Sequence, residues 1–144
     1  MREYKFRGIC IAEGELKGKF VFGDLMQKNG KMYITPHLNA VEVKGHIGSL
    51  IIMHEVDPKT VGQYTGLKDR NGQEIYEGDI VTGKRESHWH GGYDKVYAEI
   101  KFSDSTLGFM VDGLGGGPLH DIQDIEVIGN IYENPELLEG GLDQ

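Results

Sequence analysis

Cysteine is nearly absent. Cys10 stands alone in 144 residues, so no internal disulfide can form, which suits a reducing compartment. Between Ile9 and Ile11, Cys10 reads as a small core residue rather than a reactive thiol. No apolar run approaches the roughly 18 residues of a membrane-spanning helix. The charged start Met1–Gly8 leads into no apolar stretch of signal-peptide length, so a cytoplasmic location and no membrane association are expected. Proline is scarce as well, at 4 residues against 22 Gly. That glycine share is about twice the usual one of roughly 7%. Glycine weakens helices and serves turns, so the composition leans towards short strands joined by many turns.

Apolar residues make up 38%, with seven Tyr, five Phe and one Trp. That is too rich in large side chains for a disordered chain. The length suits one domain or two small lobes. Charge is spread unevenly. Residues 1–66 hold 9 Lys and Arg against 7 acids, whereas residues 67–144 hold 6 against 16. The whole chain carries a formal charge of −8. An acidic half repels a phosphate backbone and fits a basic protein surface better.

The strand signals are numerous. Tyr4–Arg7 alternates, Lys19–Gly23 is short and aromatic, and Lys31–Thr35 follows the hairpin turn Lys28-Asn29-Gly30. Val41–Val43 and Ser49–Ile52 continue the series. Asp57-Pro58 opens a helix fragment that Gly62 stops. In the second half, Asn71-Gly72 marks a tight turn. Strands are expected at Gln73–Glu77, Gly78–Thr82, Val96–Phe102, Gly108–Asp112 and Ile125–Tyr132. A second short helix is expected at Asn134–Glu139, with Asn134 as cap and Gly140-Gly141 as its end. The expected fold is mainly β, with two short helices. An N-terminal lobe of short strands spans 1–62. A C-terminal SH3-like small barrel or bent sheet spans 63–144.

The segment Gln63-Tyr64-Thr65-Gly66-Leu67-Lys68-Asp69-Arg70-Asn71-Gly72-Gln73-Glu74-Ile75-Tyr76-Glu77-Gly78-Asp79-Ile80-Val81 closely resembles the YopX family of bacteriophage and prophage proteins. The ending Val127–Leu138 matches that family's ending, and Arg2–Arg7 looks like its start. The resemblance implies a phage origin, a mostly β fold and action inside a bacterial host. It implies no activity and supplies no functional residues.

Several constellations invite chemistry. Within the family-like segment, Tyr64, Tyr76 and Asp79 are read first as structural, with a binding surface around them as the alternative. Gly78–Lys84 has P-loop spacing, but Arg85 replaces the Mg²⁺-binding hydroxyl residue, and strand-flanking glycines explain the spacing better. His88 and His90 are two apart, so on an extended chain both imidazoles share a face and are candidate metal ligands. Asp94, His120 or Asp121 would have to complete such a site. The two histidines fall in an expected loop, 84–95, that mixes Lys84, Arg85, His88, Trp89, His90, Tyr93 and Lys95, a combination suited to single-stranded nucleic acid. Alternatively, Trp89 and Tyr93 pack on the barrel or on another subunit. Gly113–Pro118 lacks a dinucleotide fingerprint and reads as a strand connection. The acids Asp104, Asp112, Asp121 and Asp124 are scattered over turns and strand ends.

The function expected from these residues is a non-enzymatic interaction module. It would bind a host or phage protein and need no cofactor, and self-association as a homo-oligomer stays open. A nucleic-acid-associated protein acting through 84–95 is the second reading. A small metal-dependent enzyme using His88 and His90 is the third.

Overall fold

The computed structural model describes residues 3–37 and 52–141. It is mainly β, at 55% strand, and its sheets are antiparallel. The chain divides into two compact units, Met1–Gln63 and Tyr64–Gln144. The strand expected at 41–43 falls outside the described residues, as does all of the one expected at 49–52 except Ile52, which is not in a strand.

The first unit holds β1 (Phe6–Ile9), β2 (Phe20–Lys28), β3 (Lys31–Thr35) and β4 (His54–Val56), side by side in the order β4-β3-β2-β1. The β2–β3 turn puts Asn29 at φ 53° and Gly30 at φ 76°, the conformation an Asn-Gly hairpin requires. The sheet curls on itself. Cys10 bridges Val56 just beyond β1, and both pack with Val21 and Ile34 in a small core. Gly8 permits this approach, because a Cβ there would stand 2.9 Å from Val56 Cβ.

The helix expected after Asp57 is a single 3₁₀ turn, Pro58–Thr60, with the Asp57 carboxylate accepting from Lys59 N at 3.0 Å. It cannot propagate, because one turn is too short to repay nucleation. The next residue but one, Gly62, opens β5 (Gly62–Lys68), a strand the sequence does not announce, and pairs with Arg7. Thr60 ties the turn down: its hydroxyl donates to Asp57 O and accepts from Ile9 N, at 2.7 and 2.8 Å.

In the second unit, the later part of β5 pairs with β6 (Glu74–Tyr76). Then follow β7 (Asp79–Glu86), β8 (Tyr93–Ser103), β9 (Gly108–Leu114), β10 (Gly117–Pro118) and β11 (Gln123–Asn130). They form one five-stranded sheet in the order β10-β9-β8-β7-β11. Val96, Ala98 and Ile100 alternate along β8 into a core with Ile75, Val81, Val111 and Leu119. The SH3-like barrel does not form. The edge strands β10 and β11 do not pair with each other. β10 is only two residues long and includes Pro118, which has no amide to continue a ladder.

A further 3₁₀ turn spans Leu119–Asp121, and α1 (Glu136–Gly141) closes the described chain. Of the two expected helices, only this second one is an α-helix. Gly140 and Gly141 are its last two residues. Asn134 does not cap it: its Oδ1 turns back to accept from Asn130 N at 3.2 Å. Tyr97 OH donates to Leu137 O at 2.7 Å and docks α1 on the sheet. Gly129 lets the helix settle, since a Cβ there would meet Asn134 Oδ1 at 2.7 Å and Leu137 Cδ1 at 2.8 Å.

Candidate interaction site

The residues singled out in the sequence separate into an interior group and a surface group. Tyr64, Tyr76 and Asp79 are 3%, 2% and 1% exposed. The two rings pack at 5.4 Å between centroids, and Asp79 Oδ2 accepts from Tyr76 N at 2.8 Å. Side chains this deeply buried present almost no surface, which favours the structural reading over the binding one.

Their neighbour Asp69 is the hub of this segment. It is 7% exposed. Its Oδ1 accepts from Asn71 N and Gln73 N at 2.8 and 2.9 Å, and its Oδ2 from Val127 N at 3.0 Å. Burial alone would raise its pKa, but these three amides and the Arg70 charge together hold it below the ordinary value. An Asp beside an Asn-Gly turn signals an Asx turn. The bond to Val127, 58 residues on, leaves no local trace.

The surface group sits on the β7–β8 hairpin. Segment 84–95, expected as a loop, is half strand: Lys84, Arg85 and Glu86 pair with Lys95, Asp94 and Tyr93. Only residues 87–92 form the loop. Ser87 orders that loop, its Oγ accepting from Trp89 N and His90 N at 3.1 and 3.3 Å while Ser87 N donates to Gly92 O at 3.0 Å. Trp89 stands at the tip and is 93% exposed. It packs neither on the sheet nor on any described residue.

Two cations of the hairpin, Arg85 and Lys84, are engaged inside the unit. Arg85 donates through Nε to Gly115 O at 3.2 Å and through a terminal nitrogen to Pro118 O at 2.9 Å, and it faces Asp121 at 3.6 Å. It staples the glycine-rich connection 113–118 to β7. Lys84 pairs with Asp124 at 3.2 Å and lies 4.5 Å from the Tyr93 ring centre. The imidazole of His90 is also committed. Nε2 faces Asp94 Oδ1 at 3.1 Å, and Nδ1 accepts from Gly92 N at 3.1 Å. His88 is exposed beside it. Among the described residues, no group of three or more His, Cys, Asp or Glu is placed to hold a metal ion.

Two hollows flank the tip. One of about 210 Å³ is lined by Glu86, His88, His90 and Tyr93. A larger groove of about 640 Å³ runs along Arg85, Glu86, His88, Pro118, Asp121 and Ile122. The exposed face of the sheet carries a further cluster. Glu99 stands opposite Asp112, and Lys101 bonds Asp112 at 2.8 Å. Burial and the Asp112 charge raise the Glu99 pKa against the pull of Lys101, and the bond to Asp112 raises that of Lys101.

A buried turn hub and an antiparallel sheet occupy the stretch where the family model described as YopX protein matches, residues 16–139. The chain belongs to the YopX family. A solved structure, the crystal structure of protein EF1440 from Enterococcus faecalis, is similar at 26% identity and a TM-score of 0.52. The similarity covers 96% of this chain and 99% of that one. No curated protein matches this chain. In this YopX chain no helix of the described residues is long and apolar enough to cross a membrane.

Proposed function

We propose that this YopX protein is a non-enzymatic, phage-derived interaction module. It acts in the bacterial cytoplasm and binds a host or phage protein through the tip of its β7–β8 hairpin. One observation carries the reading: Trp89 is 93% exposed on a loop ordered by hydrogen bonds to Ser87. Indole is a costly group to leave in water, and tryptophan is the residue most often found anchoring protein interfaces. A preordered loop also lowers the entropy lost on binding.

The charge pattern favours a protein over a nucleic acid. The chain is net −8, and the hairpin cations Arg85 and Lys84 already face Asp121 and Asp124. A phosphate backbone would have to displace those carboxylates. A second copy of the chain is one partner such a tip would accept, so self-association belongs to the same reading.

The test is capture from a bacterial host extract at low salt, with and without nuclease. A protein retained in fixed ratio after nuclease supports the reading. Nucleic acid in the eluate, with proteins lost on nuclease treatment, replaces it by the nucleic-acid reading.

A further inference from the structure

The groove beside the tip has a charge balance of its own. Its lining carries two carboxylates, Glu86 and Asp121, and one guanidinium, Arg85. Arg85 is only 15% exposed and is turned towards Gly115 O and Pro118 O. Asp121 is 52% exposed but already partnered, its Oδ2 facing Arg85 at 3.6 Å and its Oδ1 facing His120 Nε2 at 3.1 Å. Glu86 is exposed and makes no ion pair among the described residues. Arg85 and Asp121 offset each other, and Glu86 leaves the Asp, Glu, Lys and Arg of the lining net negative. The half of the chain around it holds 6 Lys and Arg against 16 acids. Pro118 and Ile122 add apolar surface to the same lining.

This combination of apolar surface, an exposed unpaired carboxylate and an internally satisfied cation matches a long basic side chain. Its methylene stem would lie on Pro118 and Ile122, and its head would reach the Glu86 carboxylate. An anionic ligand finds no free cation here. We infer that the partner is a protein segment that places an Arg or Lys side chain in this groove while Trp89 enters an apolar pocket on the partner. The inference rests on the interaction reading above and adds the partner's chemistry to it.

The probe is an alternating Arg-Ala peptide, compared with the same peptide carrying Gln or Glu in place of Arg. Binding to the full chain is measured by calorimetry at two salt concentrations. The Arg peptide is expected to bind and to weaken at higher salt, and the other two are not. E86Q is expected to weaken binding about threefold to fivefold. D104N changes an exposed acid beyond the far end of β8 and is expected to change nothing. Absence of Arg-peptide binding overturns the inference, as does equal binding by E86Q and the native chain, or equal loss in D104N. These outcomes concern the groove. Partner capture that survives W89A would instead overturn the interaction reading itself.

Discussion

Segment 63–81 and loop 87–92 lie a few residues apart and are built in opposite ways. The first carries the family-like sequence and turns inward. Tyr64, Ile75, Tyr76 and Asp79 are buried, and Asp69 gathers three backbone amides. The second projects from the end of a hairpin with Trp89 in solvent. One segment is conspicuous because its turn and interior demand particular residues. The other is conspicuous because an apolar ring stands where burial does not explain it. The difference teaches that a recognisable motif and an exposed aromatic tip need not coincide. In this chain the motif supports the sheet from which the tip projects.

The largest effect expected from breaking that division is at Asp69. D69A strands the amides of Asn71, Gln73 and Val127 and is expected to cost about 3 kcal/mol, read from urea denaturation. Tip binding, measured at temperatures where the variant is folded, is expected to persist. R85A comes next. It frees the 113–118 connection from β7 and is expected to cost about 2 kcal/mol, with faster amide exchange in that connection.

The pH dependence sharpens the same contrast. Asp69 is held below its ordinary 3.8, so its contribution is complete above that value and is lost as pH falls through the lower folded one. The stability gap between native protein and D69N is therefore expected to shrink on acidification. Glu99 has the opposite sign, being raised above 4.5. Its protonated form favours folding, and that contribution fades as pH rises through the folded value. E99Q is expected to give a small gain near neutral pH and none in acid. W89A is the smallest perturbation of all, within about 0.5 kcal/mol, because the ring it removes touches solvent.

Much of the fold is legible in the sequence where the causes are local. Lys28-Asn29-Gly30 makes its hairpin, Asp57 caps its turn, and the alternation along Val96–Ile100 points inward as read. β5 is not legible, because Gly62 and Gly66 dilute its pattern and its pairing with Arg7 and Tyr76 comes from distant chain. Alternation assigns faces but not neighbours. Nothing local therefore separates an open sheet from a barrel. Trp89 is visible in the sequence as an unusual residue, but its exposure is not. The tethering of Arg85 across 30 and 33 residues removes a cation that looked available for nucleic acid.

The most direct test of the central claim compares native protein and W89A in quantitative capture from nuclease-treated host extract. The account predicts a protein held in fixed ratio by the native chain and lost from W89A at unchanged melting temperature. Equal capture by the two would contradict it.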